Sequence, residues 1–184
     1  MTLALRPGTK LESFISRGAT SAVSTTPFDI RLAEDEDYQA VEALARQLYR
    51  IREIAHPSVF VVADAALIDP EEWKAVLSDE DHLMLSAVVE GTLSGFVHAS
   101  IQRVSKTLRH QERQFALIEM MAVSAEHRRS GIGRGLVQRV QDWASDKGLS
   151  EVELEVYDAN RDAIGLYEAL GYRSVKRTMS IAVR

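Results

Sequence analysis

Arg128-Arg129-Ser130-Gly131-Ile132-Gly133-Arg134-Gly135 joins an apolar run, Phe115 to Val123, to a segment in which Ile132, Leu136, Val140, Trp143 and Ala144 recur at helical spacing. The eight residues therefore sit at a strand-to-helix junction. Glycines there let the backbone turn with unusual torsions and let amides approach a ligand closely. The unpaired N–H groups and positive dipole end of the helix attract phosphate, to which Arg128, Arg129 or Arg134 can add charge-assisted contacts. A glycine-bearing turn with surface arginines is the bland alternative, so the neighbours matter. A Walker loop needs Lys followed by Ser or Thr after its last glycine, but Gly133 is followed by Arg134 and Gly135. A dinucleotide fingerprint needs its third glycine one step later than Gly135, although Glu155 lies where an acidic ribose partner would, about 20 residues on. Location counts against it: only two strands are expected after the loop, and those before it read as an antiparallel hairpin.

Downstream, Lys147-Gly148 is a helix stop, and Val152, Leu154 and Val156 alternate with Glu151, Glu153, Glu155 and Tyr157 as a strand. Ala163, Ile164, Tyr167 and Leu170 mark a helix ended by Gly171, and a last strand is expected within Tyr172 to Val183. Upstream, Phe115 to Val123 is apolar on both faces apart from Glu119, as a central strand should be. His82 to Val89 and Leu93 to Ile101 form a hairpin about Glu90-Gly91-Thr92. Asp69-Pro70-Glu71-Glu72 supplies a cap, a proline suited to the first helical position and first-turn acids for a helix through Leu77. Before it, Phe28, Ile30 and Leu32 alternate as a strand, and Val41, Leu44, Ala45 and Leu48 follow Asp35 at helical spacing until His56-Pro57. Residues 1–27 read as an extension and 28–184 as one domain, without internal repeat or low-complexity block.

With these elements in place, the residues resemble the GNAT superfamily of N-acetyltransferases. The family's core motif is Arg or Gln, two residues, Gly, one residue, then Gly or Ala; Arg128, Gly131 and Gly133 match it. Asn160, Ala163, Tyr167 and Gly171-Tyr172 look like the signature that follows the next strand, and Leu166-Tyr167-Glu168-Ala169-Leu170-Gly171-Tyr172 is typical of it. The match covers Ile118 to Tyr172, while residues 1–27 have no counterpart. The resemblance implies an α/β fold of the α+β type, the acyl-CoA N-acyltransferase fold: a mixed, mostly antiparallel sheet, flanked by helices, that splays open after its fourth strand. It further implies that acetyl-CoA is the co-substrate. Its pantetheine arm would pair with the backbone of Met121, Ala122 and Val123, and its pyrophosphate would lie on Arg128, Arg129, Ser130, Gly131, Ile132, Gly133, Arg134 and Gly135. Asn160 would hydrogen-bond the arm, although an asparagine there is also a good helix cap.

Acetyl transfer by direct attack in a ternary complex needs a deprotonated amine and a proton donor for the departing thiolate. Tyr167 matches the family's donor position, although a tyrosine there also packs on the helix's buried face. Glu119 and Glu155 are the candidate bases. Glu119 interrupts an apolar strand, where burial would raise its pKa toward a useful value. Glu155 resembles the carboxylate of some protein N-terminal acetyltransferases but alternates with Glu151 and Glu153 like an ordinary solvated face. The five histidines have no metal-ligand spacing, so no metal is expected; His110, before the fourth strand, is the one placed where a substrate wall could form.

The bulk properties narrow the classes further. The chain has 184 residues, 46% apolar and 27% charged, no cysteine and a formal charge of -5. Disulfides and thiolate chemistry are excluded, no run approaches the roughly 20 apolar residues that span a bilayer, and the acidic balance disfavours nucleic acid while favouring a cationic amine. With no signal-like segment, a cytoplasmic protein is expected. A primary amine on a small molecule is the leading acceptor. A protein N-terminus or lysine, and a non-catalytic CoA-binding module, are the alternatives, and a homodimer is compatible with the family.

Overall fold

A computed structural model describes residues 27–55, 57–61, 65–109 and 111–181. The expected extension before Pro27, together with His56, His110 and Val183, lies outside the described residues. Five strands, β1 (Phe28–Leu32), β2 (His82–Val89), β3 (Thr92–Val104), β4 (Arg113–Val123) and β5 (Val152–Leu154), form one sheet in the order β1-β2-β3-β4-β5. The first four are mutually antiparallel, and β5 runs parallel to β4. Glu90 and Gly91, at φ 48° and 80°, make the two-residue β2–β3 turn, the pattern whose twist suits adjoining antiparallel strands.

The strand alternation divides the side chains between two cores. Leu85, Val97, Ala99, Ala116 and Ile118 face helix α3 (Ile132–Asp146), which buries Ile132, Leu136, Val137, Val140, Trp143 and Ala144 against them. Met84 and Phe96 face the other way, toward α1 (Tyr38–Ala55) and α2 (Pro70–Ser78), where they meet Val41, Leu44, Ala45, Trp73 and Val76. Fully burying one such aliphatic side chain contributes about 1.5–3 kcal/mol, so both cores matter to stability. Under α1, Arg31 donates two hydrogen bonds to Asp37 (2.6 and 2.8 Å), which also accepts from Ser86 Oγ and the Glu34 amide, tying β1, β2 and the turn before α1 together. Burial raises the Asp37 pKa, but these hydrogen bonds outweigh it and hold the carboxyl below its ordinary range.

Local chemistry sets the helix ends. Asp69 caps α2, accepting from the Glu71 and Glu72 amides (2.8 and 3.2 Å), with Pro70 as the first helical residue. Both later helices, α3 and α4 (Arg161–Ala169), end on a left-handed glycine: Gly148 at φ 76° and Gly171 at φ 90°. In each, the glycine amide and the next residue's amide return to carbonyls three and five residues back, the paired bonds of a Schellman stop.

Two sequence expectations are corrected. The strand after α3 was expected to reach Tyr157, yet β5 ends at Leu154. Its partner explains why: His98 stands opposite Met120 and Ala99 opposite Ile118, so Glu119 is the extra residue of a bulge in β4, and the parallel ladder stops at Ile118, one residue short of it. The last strand is also absent among described residues 172–181. Val175, Met179 and Ile181 are almost fully exposed, so their alternation finds no ladder to join.

Candidate active site at the splayed end of β4

The loop between β4 and α3 is built by its own backbone. Ser124 donates its amide to Ser94 (2.8 Å), a short 3-10 turn covers Ala125–His127, and Ser130 Oγ donates to the His127 carbonyl (2.6 Å). Arg129, at φ 64°, and Gly131, at φ 96°, are left-handed, a conformation costing a non-glycine residue about 1–2 kcal/mol. Such strain persists where the surroundings fix it, often at a binding loop. Gly131 is the N-cap of α3 and has no side chain with which to cap it. The first helical bond runs from the Gly135 amide to the Gly131 carbonyl (2.9 Å), so the amides of Ile132, Gly133 and Arg134 precede the ladder and face outward as donors.

The remaining glycines have packing reasons. A Cβ at Gly133 would lie 3.2 Å from Leu166 Cδ2 of α4, and one at Gly135 only 2.9 Å from Ile30 Cδ1 of β1. Gly135, whose amide is committed to the helix, thus sets how closely α3 approaches the sheet. Arg128, Arg129 and Arg134 are exposed around the loop, and Arg128 Nε makes a long contact (3.5 Å) to the Val123 carbonyl.

Immediately before this loop, Met120 to Val123 pair with β3 on one side and with no strand of the described residues on the other, because β5 has ended. Their backbone edge is consequently open, half-buried and contiguous with the uncapped start of α3. This is the splay expected after the fourth strand.

Tyr167 is 9% exposed and packs in the core that Met121 and Val123 border. Burial, then Tyr172, raises its phenol pKa to about 12, with Arg52 opposing. Its ring lies 5.7 Å from that of Tyr172, the contact across a Schellman stop, so packing already accounts for part of the Leu166-to-Tyr172 signature. Asn160 accepts from the Ala163 amide (3.3 Å) as the N-cap of α4. It is exposed.

Glu119 was expected to be buried among apolar neighbours; it is exposed, because the bulge turns it out of the strand's regular alternation. It accepts from buried Ser100 Oγ (2.6 Å) and from Gln102 Nε2 (3.3 Å), so two neutral donors fix it on the α1–α2 face of the sheet. Glu155 is exposed just beyond the end of β5. Glu151 and Glu153 of the same row pair with Arg113, as members of a solvated face do.

A histidine pair escapes the sequence reading. His82 Nδ1 lies 2.9 Å from His98 Nε2 with the rings stacked, on the face that also carries Ser100 and Gln102. Burial and the charge of His82 lower the His98 pKa to about 4, so it is neutral at ordinary pH. The signal was available: His98, Ser100 and Gln102 recur at every second position of an otherwise apolar strand and share one face. Among the described residues, no cluster of His, Asp or Glu could hold a metal ion, and no helix is long and apolar enough to cross a membrane.

Comparison with known proteins places this geometry. Residues 45–172 match the Acetyltransferase (GNAT) family. Streptothricin acetyltransferase of Streptomyces lavendulae is 26% identical over 161 residues, 79% of this chain and 81% of that protein. Higher local identities, 38–40% to a mouse member of N-acetyltransferase family 8 and a pig thialysine N-epsilon-acetyltransferase, span only 28% and 34% of those proteins. Among solved structures, a mutant Bacillus halodurans protein aligns at TM-score 0.79 with 24% identity, covering 84% of this chain and 99% of that one. An aminoglycoside N-acetyltransferase bound to a CoA-S-monomethyl-acetylneamine bisubstrate analogue aligns at 0.63 with 23% identity, covering 86% and 99%. The strained loop, the uncapped helix and the open strand edge therefore sit inside a stretch that the family pattern spans, and the chain belongs to the acetyltransferase (GNAT) family.

Proposed function

We propose that residues 28–184 act as one unit that transfers an acetyl group from acetyl-CoA to a primary amine on a small molecule, by direct attack within a ternary complex. The observation that carries this reading is the contiguity of the open Met120–Val123 edge with the uncapped N-terminus of α3. One end of such a site takes an amide-bearing arm, the other a pyrophosphate.

The amides of Ile132, Gly133 and Arg134, with Arg128 or Arg129, fit a pyrophosphate; the Met121–Val123 backbone fits the amides of pantetheine, and Asn160 borders the same gap. Acetyl-CoA supplies the activated acetyl thioester. An ammonium acceptor must lose a proton before its nitrogen can form the new C–N bond, and Glu119, held by Ser100 and Gln102, takes that proton directly or through water. Tyr167 holds its proton at working pH and gives it to the thiolate released when the C–S bond breaks, and the second proton that the acylated nitrogen sheds restores the phenol. A pKa of about 12 lies above that of an ordinary thiol, yet the burial that raises the phenol also raises a thiol beside it, which narrows the gap. Gly135 serves packing in this scheme, and Glu155 has the weaker claim to the base.

Isothermal titration with acetyl-CoA on wild type and on a Gly131→Glu, Gly133→Glu double variant tests the site. Saturable binding by the wild type, lost in a variant whose circular dichroism remains native, is expected. A well-folded wild type that binds no acetyl-CoA would sink the proposal.

A further inference from the structure

On the α1–α2 face, beside the open edge of β4, lies a solvent-open cleft walled by Trp73, Met84, Phe96 and Met120, with His98 and Glu72 as polar lining. Its position links it to the chemistry. Met120 is the residue between Glu119 and Met121, so the cleft opens between the proposed base and the proposed acyl-donor edge. It is a built feature: Glu42 accepts from the Leu67 and Ile68 amides (3.0 Å each) and Tyr38 donates to the Ile68 carbonyl (2.8 Å), which holds the segment before α2 against α1.

From its lining we infer that this cleft selects the acceptor, and that the acceptor is a primary amine on an apolar or aromatic body rather than an amino sugar. The inference rests on the acetyltransferase reading above. A polyhydroxylated acceptor needs a hydrogen-bonding partner for each hydroxyl it brings out of water, or loses about 1–3 kcal/mol per group left unpaired. The side chains here offer very few. His98 has one ring nitrogen engaged with His82, and the Trp73 indole N–H is a single donor, buried and without a partner among the described residues. Glu72 adds one carboxylate, exposed on α2, and the other walls are thioether, aliphatic and phenyl surface, which gains from contact with a hydrocarbon or ring. Charge agrees with this. Glu72 carries the anion that attracts an ammonium group, and His98, neutral at ordinary pH, adds no opposing cation.

The test uses the full chain at saturating acetyl-CoA, with thiol release read for 2-phenylethylamine and for D-glucosamine, and acetyl-CoA affinity measured separately by titration. Expected is a kcat/KM at least tenfold higher for 2-phenylethylamine. Leu67→Lys, placing a cation in the half-buried apolar wall, should raise the KM for 2-phenylethylamine tenfold or more with acetyl-CoA affinity unchanged. Glu72→Lys, at an exposed site in the first turn of α2, should raise it several-fold. Equal or better use of glucosamine, or unchanged KM in both variants, overturns the inference. Turnover of neither amine with acetyl-CoA binding intact also overturns it while leaving the cofactor site standing, whereas absent acetyl-CoA binding removes the reading beneath it.

Discussion

On the α3 side of the sheet, Val97, Ala99, Ala116 and Ile118 meet Leu136, Val137 and Val140 in a continuous apolar layer, and two glycines bring α3 close to β1 and α4. Under α1 and α2 the same strands present Ser86, His98, Ser100 and Gln102 among apolar neighbours, with a cleft over His98. One face is closed by packing alone; the other is held by a few buried polar groups that leave room. The contrast arises because β4 changes pairing at Glu119. From Ala116 to Ile118 both edges are paired, and after the bulge one edge is free of any described strand.

Removing the polar anchor of the open face should have the largest effect on stability. Breaking a buried ion pair costs about 3–5 kcal/mol. Arg31 keeps 31% of its side chain in water, so Asp37→Ala belongs at the low end, about 3 kcal/mol by urea unfolding at pH 7. The acid dependence follows from the depressed pKa. The carboxylate's contribution is complete above the ordinary aspartate value near 3.8 and disappears as pH falls through the lower folded-state value. Wild type should therefore lose stability below about pH 4 by a component that Asp37→Ala lacks. A variant with unchanged stability at pH 7 would show that packing, not this pair, closes both faces.

A smaller free-energy change separates chemistry from architecture. Glu119→Gln keeps an oxygen for Ser100 and Gln102 while removing the base, so kcat should fall about 100-fold with little change in melting temperature. Glu155→Gln, beyond the end of β5, should change kcat less than about threefold, since general-base losses of 10²–10⁴ require the catalytic group itself. The reverse ranking would move the proton acceptor across the splay and detach the acid–base role from the α1–α2 face.

The closed face was the more legible one from sequence. Leu136, Val140 and Trp143 announce α3 by period, and Gly148 and Gly171 announce its end and that of α4 because a left-handed stop favours glycine. The hairpin at Glu90-Gly91 and the Asp69-Pro70 cap are equally local. The splay was implied by the family resemblance, but the residues alone did not reveal the register that produces it. Nothing in Ile118-Glu119-Met120 distinguishes a bulge from a continuous strand, yet that single residue exposes Glu119, shortens β5 and opens the edge. Alternation within 172–181 looked like a strand because pattern records which side chains share a face, not whether a neighbouring ladder is available. Trp73 and His98 come together only once α2 folds over β3.

The smallest expected effect lies where the two faces are hardest to separate by sequence, at the third glycine of the loop. Gly135 occurs in the phosphate-loop stretch, but its amide already serves the helix and its Cα abuts β1. In Gly135→Ala the new methyl would meet Ile30 Cδ1 at 2.9 Å, the far end of a side chain that can rotate away. Against that cost stands the roughly 1 kcal/mol by which alanine favours a helix interior over glycine. The two nearly offset, so stability should change by less than about 1 kcal/mol and acetyl-CoA affinity by less than about twofold. A tenfold loss of affinity at unchanged stability would return Gly135 to the cradle; a loss of several kcal/mol would mean that β1 cannot yield, making the closed face tighter than one flexible isoleucine tip implies.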